Sequence, residues 1–279
     1  MIDTHCHIQF NAYKTDSDEV IKKCLERNMI LNVVGSQQTT SARAVECANK
    51  YENVYATIGL HPVHLFPTHV DEAEAAFDSR QENFDYEYYK KLAQDKKVVA
   101  VGECGLELFH LPEGFTQEEV LKKQTETFLL QYKLAQEMNL AMVIHVRDAH
   151  NQMIEVLKTL PHPIRGTIHC YTGDWKHAQE YLAMGFCLGF TGVITFPPKK
   201  SNPQIQLDLL EVVKNVPLDR MVVETDAPYL APNEYRGKRC EPWMVFEVAK
   251  KIAEIKNMAM EDVDRITTEN AKKLFNIPA

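Results

Sequence analysis

The chain has no apolar run long enough to cross a bilayer, and no Gly/Ser linker, low-complexity tract or block of like charge. The first absence argues against a membrane-spanning protein. The others favour one domain over residues 1–279, although length alone would admit two. Basic residues are not in surplus. Lys and Arg total 31 against 39 Asp and Glu, a formal net charge of -8, which argues against a protein that coats nucleic acid through a broad basic surface. An enzyme that grips a short piece of nucleic acid in one local site is compatible with that charge. None of the seven cysteines, at positions 6, 24, 47, 104, 170, 187 and 240, belongs to a CxxC pair, and their number is odd. They read as reduced thiols in a reducing compartment. Met1-Ile2 leads straight into Asp3-Thr4-His5 with no leader-like stretch before it, so the expected location is the cytoplasm.

What the chain does contain is an ordinary globular composition, 45% hydrophobic and 25% charged. A core of this size folds without disulfide or metal staples, so any bound metal is expected to be catalytic. Short runs rich in β-branched residues alternate with longer stretches at helical spacing, the pattern of βα units and a parallel sheet. Strands are read at 2–6, 30–35, 54–60, 98–103, 141–145, 166–169, 186–190 and 221–224. The clearest helices are 16–28, 40–51, 118–138, 149–160 and 175–184, with 241–255 and 261–275 after the last strand. Eight strand candidates predict an α/β fold, a (β/α)₈ TIM barrel with an extra C-terminal helix. A doubly wound open sheet is the main rival. The acidic stretch 71–85 reads as a solvated helix or an insertion after the third strand.

Histidines and acids gather at the ends of these strands. His5 and His7 end the first, His61 and His64 follow the third, Glu103 ends the fourth, His145 the fifth and His169 the sixth, and Asp226 follows the eighth. In a barrel all these ends converge on one face, where active sites are built. Side chains two apart on a strand point the same way, so both imidazoles of His5-Cys6-His7 can reach one ion while Cys6 packs on the other side. A buried cluster of histidine and carboxylate needs a cation to neutralise it. Glu103, with two oxygens, can bridge two ions.

Longer blocks surround these positions: Asp3-Thr4-His5-Cys6-His7, Gly59-Leu60-His61-Pro62, Gly102-Glu103-Cys104-Gly105-Leu106 and Ile144-His145-Val146-Arg147-Asp148-Ala149. Further on come His169-Cys170-Tyr171-Thr172-Gly173, Glu224-Thr225-Asp226-Ala227-Pro228-Tyr229-Leu230, Arg236-Gly237-Lys238-Arg239-Cys240-Glu241-Pro242 and Asn270-Ala271. In this order the blocks resemble the TatD family of metal-dependent hydrolases, within the amidohydrolase-like barrels. The resemblance implies a deoxyribonuclease that trims DNA, as single strands or from 3′ ends, and two divalent ions, with zinc, magnesium and manganese all open. Carried over by position, one ion takes His5, His7, Glu103 and Asp226, and the second takes Glu103, His145 and His169. Asp226 would also orient or deprotonate the attacking water. The chain departs from the family pattern at Glu107-Leu108 and the loop up to Phe115, at Cys240, and in the length of its acidic stretch. Those changes bear on substrate more than on metal.

Arg147, Arg236 and Arg239 are candidate phosphate clamps, since guanidinium matches phosphate oxygens bidentately. Arg147 is read equally as a partner of Asp148 or of a helix end, and Arg236, Lys238 and Arg239 as a solvated loop. His61 is expected to contact the phosphate or leaving group, or to cap its strand end. His64 reads as a supporting or surface residue, and Glu224 as a support of the site or a partner of an arginine. Tyr171 and Tyr229, beside ligand positions, are candidate substrate contacts. Trp175, Trp243, His110, His150, His162 and His177 read as ordinary packing or polar residues. The competing activity is hydrolysis of a carboxylic ester, lactone or amide, including deacylation of aminoacyl-tRNA, because fold and metal do not choose the substrate. A non-catalytic binding barrel is a third reading. No coiled coil or long apolar stripe asks for a partner chain, so a monomer is expected.

Overall fold

Strands buried on both faces read as nearly continuous apolar runs, and a parallel sheet covered by helices requires that. The computed structural model describes residues 1–67 and 81–278. Its strands are β1 (Ile2–Cys6), β2 (Ile30–Val34), β3 (Val54–Ile58), β4 (Val98–Glu107), β5 (Ala141–Arg147), β6 (Gly166–Ile168), β7 (Cys187–Phe190) and β8 (Met221–Val223). Neighbours pair in parallel and in sequence order. The two ends of the sheet meet where Cys6 bridges Ala227. There the His7 N–H donates to the Ala227 carbonyl at 2.7 Å, and the Asp226 N–H to the His5 carbonyl at 2.8 Å. The result is the (β/α)₈ barrel that the pattern predicted, and its sequential order rules out the doubly wound rival.

The helices are α1 (Ser17–Leu25), α2 (Gln38–Lys50), α3 (Tyr86–Leu92), α4 (Gln117–Glu137), α5 (His150–Lys158), α6 (Trp175–Ala183), α7 (Gln204–Asn215), α8 (Val245–Lys256) and α9 (Met260–Phe275). Sequence reading did not single out α3 or α7. The first has seven residues, and the second exposes Ile205 and Leu207, which blurs its apolar stripe. Of the acidic stretch, 71–80 lies outside the described residues; Asp85 caps α3 by accepting from the Tyr88 N–H at 3.1 Å. Among the described residues no helix is long and apolar enough to cross a membrane.

In β5, β7 and β8 parity sorts the strand residues into two apolar clusters. Ala141 and Val143 of β5, Cys187 of β7 and Val222 of β8 form the smaller one with Ala271, Leu274 and Phe275 of α9. Their neighbours Met142, Ile144, Leu188, Met221 and Val223 join the larger cluster under the helices. The face that carries Ala141 and Val143 continues to His145. The extra C-terminal helix therefore packs against the same strand faces that end in polar side chains. Helix α4 adds a second constraint. Its buried Gln124 and Gln131 lie two turns apart, on one face. Gln131 bonds the backbone of Leu60 on both sides, at 2.9 and 3.0 Å, and Gln124 does the same for Glu107, at 3.0 and 2.9 Å. These clamps fix the chain beside His61 and at the end of β4.

Candidate metal centre

Four histidines (His7, His61, His145 and His169) and two carboxylates named from the sequence line one cavity of about 540 Å³, with His5 buried behind them against Glu103 and Asp226. Three non-glycine residues just past barrel strands hold a positive φ, Asp148 (55°), Cys170 (43°) and Asp226 (59°). That conformation is uncommon outside glycine and concentrates at functional sites. Nε2 of His5 lies 3.1 Å from Nε2 of His7 and 3.4 Å from Oε2 of Glu103. The same His7 nitrogen lies 3.3 Å from Oδ1 of Asp226 and 3.9 Å from Oε2 of Glu103. Ligands of a tetrahedral ion with bonds near 2.05 Å stand about 3.3 Å apart. The separations in this quartet scatter around that value, so the nitrogen and oxygen donors fit a divalent cation.

The other oxygen of Glu103 faces a second group. Its Oε1 is 2.9 Å from Nδ1 of His145, 3.5 Å from Nε2 of His61 and 3.8 Å from Nε2 of His169. His61, Glu103 and His145 bring donor atoms close enough to share an ion, as do His5, His169 and Asp226. This grouping differs from the set implied by resemblance, which paired His169 with His145 and left His61 out. His61 also caps the turn Pro62–Leu65, its Nδ1 accepting from the Val63 N–H at 3.1 Å. Of the two readings of His61, the capping one is observed, and the ring's other nitrogen faces Glu103.

Charge in the ion-free protein is divided among these groups. Burial opposes ionisation of Glu103, yet the neighbouring imidazoles of His61, His169 and His5 hold it well below the ordinary carboxylate range. Asp226 is lowered in the same way, by His7, His169 and His5 acting against burial. The histidines respond oppositely. Burial works against their charge, but Glu103 and Glu107 raise His145 to about 9, and Glu224 and Glu103 raise His169 to about 10. His5 is lowered by burial and by His169, whose ring stacks on it at 3.5 Å. Burial and the His145 charge take His61 down to about 3, so it is neutral and no source of protons. Imidazole must be neutral to bind a metal, so loading this site would release protons.

Two carboxylates undervalued in the sequence complete the site. Glu224 is fully buried, with Oε1 2.9 Å from Nδ1 of His169 and 2.6 Å from the Cys170 N–H, and Oε2 accepting from Thr4. Of the two roles left open for it, support of the site is the one observed. Gly189 leaves the space its carboxylate occupies. Glu107, read as part of a divergent substrate loop, instead ends β4, is 2% exposed and reaches Nε2 of His145 at 3.2 Å. Its parity with Glu103, four residues back on one strand, was the available signal. Asp3, also passed over, accepts from the Thr225 N–H at 2.9 Å and its hydroxyl at 2.6 Å, tying β1 to the segment that carries Asp226.

Other expectations are corrected. Arg239 is committed to Asp16 through two bonds of 2.9 and 2.6 Å and lies over Tyr13, so its guanidinium is not a free phosphate clamp. Tyr171 is buried, donates to the Asp174 carbonyl at 2.6 Å and packs beside His150 and Tyr181, away from the cavity. Arg236 is exposed over Phe196 and does not line the cavity. Arg147 and Tyr229 do line it, and so do His64 and His110. His110 had been taken as an ordinary polar residue, but its Nδ1 is 3.6 Å from Glu107. His150 bonds the Tyr181 hydroxyl at 3.1 Å, and burial lowers it to about 4. Cys6 is buried on the far side of β1, as its parity required.

Fold and site together define a (β/α)₈ barrel whose strand ends carry a histidine–carboxylate centre able to hold divalent metal. Within that class the chain belongs to the TatD related DNase family, whose model matches residues 2–276, and it is a TatD-family metal-dependent hydrolase. A Bacillus subtilis (strain 168) relative, 40% identical over 279 residues and covered over 99% of both chains, bears the name uncharacterized metal-dependent hydrolase YabD. An Erwinia amylovora relative is 28% identical over 284 residues, covering 99% of this chain and 100% of that protein, and is named 3'-5' ssDNA/RNA exonuclease TatD. The crystal structure of YjjV, a TatD homologue from Escherichia coli K12, superposes with a TM-score of 0.82 at 26% identity, over 100% of this chain and 98% of that one.

Proposed function

We propose that the protein is a two-metal 3′-to-5′ exonuclease acting on single-stranded nucleic acid, DNA foremost. The observation that supports it best is Glu103, whose two oxygens face separate histidine groups in one cavity. His5, His7, Glu103 and Asp226 would hold one ion; Glu103, His145 and His61, with His169 adjoining, would hold the other. Divalent ions there would supply Lewis-acid stabilisation of a phosphoryl oxygen and make water acidic enough to react near neutral pH. Asp226, ionised and next to His7, accepts a proton from the attacking water. The water oxygen forms the new bond to phosphorus as the bond to the neighbouring 3′ oxygen breaks. The proton taken up by Asp226 passes, directly or through solvent, to that oxygen, which leaves as a hydroxyl and returns Asp226 to its ionised form. Arg147, at the cavity wall, contacts the phosphate. The name of the Erwinia relative points to the same substrate class.

The test restores magnesium, manganese or zinc to stripped protein and offers 3′-labelled and 5′-labelled single-stranded DNA, with His145→Ala as control. Metal-dependent release of single nucleotides from the 3′ end, absent in the variant, is expected. Intact DNA in every metal, with turnover of carboxylic esters or aminoacyl-tRNA instead, would overturn the reading.

Glu107 carries a further expectation. A carboxylate on the outer nitrogen of a ligand histidine orients the ring, and removing it typically weakens metal affinity about 10–100-fold. Glu107→Ala should show such a loss by calorimetric titration with zinc. Unchanged affinity would mean that Glu107 only shapes its loop.

A further inference from the structure

The segment after β4 exposes Phe109 (56%), Leu111 (48%) and Phe115 (43%), large apolar side chains within seven residues of one another. Scattered exposed apolar residues are normal, but a cluster of them beside a polar cavity marks a binding surface. This cluster stands at the cavity rim. His110 and Arg147 line the cavity, and the Arg147 guanidinium lies 3.9 Å from the centre of the Phe109 ring. Phe115 in turn meets Phe66 edge-on at 4.9 Å.

The ledge is also held at a set distance from the centre. Glu107 Oε1 accepts from the backbone N–H groups of Phe109 at 2.6 Å and His110 at 3.1 Å, while its Oε2 meets His145. One buried carboxylate therefore joins the backbone at Phe109 to the histidine beside Glu103. The occupant must suit an exposed aromatic face and an adjacent cation together. An unpaired nucleobase with its own phosphate does so, since bases stack on aromatic rings whatever their sequence and guanidinium pairs with phosphate.

We propose that Phe109, with Arg147 beside it, is a base-stacking subsite that seats a nucleobase of the single strand at the mouth of the cavity. It rests on the nuclease reading above and deepens it by naming where the strand is gripped. The subsite explains how a chain with a net charge of -8 could hold a single strand: by stacking and one local cation, without a basic groove.

The test uses the full-length, metal-loaded protein and a short single strand with phosphorothioate linkages, so that binding outlasts cleavage. 2-Aminopurine near the 3′ end reports stacking by loss of its fluorescence. Wild type is expected to quench it. Phe109→Ala should bind about tenfold more weakly with the quenching lost, and Phe109→Trp should restore affinity, consistent with the worth of one stacked base. On a matching abasic strand the variants should bind alike. Since Phe109 is more than half exposed, circular dichroism should show the alanine variant folded. Equal binding and cleavage by wild type and Phe109→Ala would overturn the subsite and leave the nuclease reading standing. Absence of binding and cleavage by either protein would overturn both.

Discussion

Asp226→Asn is expected to lower turnover of single-stranded DNA by at least about a thousandfold, the range associated with loss of a general base, and more if metal is lost with it. In the proposed mechanism the residue has two tasks, and asparagine fails at both. Its Oδ1 is 3.3 Å from Nε2 of His7 and 3.8 Å from Nε2 of both His5 and His169. An amide oxygen there donates less charge to a cation, and an amide cannot take a proton from water near neutral pH. The fold should survive. The Asp226 backbone N–H, bonded to the His5 carbonyl at 2.8 Å, is untouched by the substitution, and the amide matches the carboxylate in size. Steady-state rates in each metal, with a thermal melt alongside, check the point. Wild-type turnover in the variant would remove Asp226 from the mechanism.

Glu103→Gln should produce the largest change in metal content. Both proposed ion positions use this side chain, so the variant is expected to lose affinity at both together, by at least about tenfold each. His145→Ala should weaken one position and leave the other close to wild type. Metal analysis after dialysis separates the patterns. Equal loss from both variants, or loss at one position from both, would show that Glu103 does not bridge.

The same variant has a consequence without metal. Removing one partner of a buried ion pair costs roughly 3–5 kcal/mol, because the other charge is stranded. His145, raised from 6.5 to about 9, and His169, raised to about 10, both depend on Glu103 for part of that rise. A folded-state pKa above the unfolded value gives stability that is complete below 6.5 and fades as pH climbs through the raised value. Metal-free wild type should therefore lose stability between about pH 6.5 and 10, and Glu103→Gln should show a shallower loss over that window.

Much of the barrel could be read without coordinates because its physics is local. A strand covered on both faces must be apolar along its length, and a βα crossover must separate parallel neighbours. That is why β1 matched its expected bounds, and why β4 and β5 were placed but drawn too short. Both continue past the ligand positions to Glu107 and Arg147, where polar residues replace the apolar run that pattern reading follows. His5, His7, His145 and His169 were visible for a related reason: a histidine closing an apolar run is conspicuous, and parity tells which way it points.

The surroundings were harder to foresee. Glu107 and Glu224 look like any other acidic residues until β5 and β6 bring His145 and His169 against them. Arg239 looked like a phosphate clamp because it sits in a basic loop after β8, yet Asp16, 223 residues away in sequence, takes its guanidinium. Tyr171, two residues past His169, would share its side by parity. But β6 has ended at Ile168 and Cys170 holds a positive φ of 43°, so alternation no longer applies and the ring packs beside His150 and Tyr181.

Sequence by itself determined the alternation of strands and helices, the strand ends that carry polar side chains and, through the order of its blocks, the family they resemble, since each is read from local patterns along the chain. The strand order that excludes an open sheet came from the structure. Tertiary structure alone decided which imidazoles group around which oxygen of Glu103, which carboxylates support them, and which arginine remains at the cavity. Those outcomes depend on contacts between segments that lie from 38 to 223 residues apart, and a side chain's charge and hydrogen bonds are set by whatever the closed barrel places beside it.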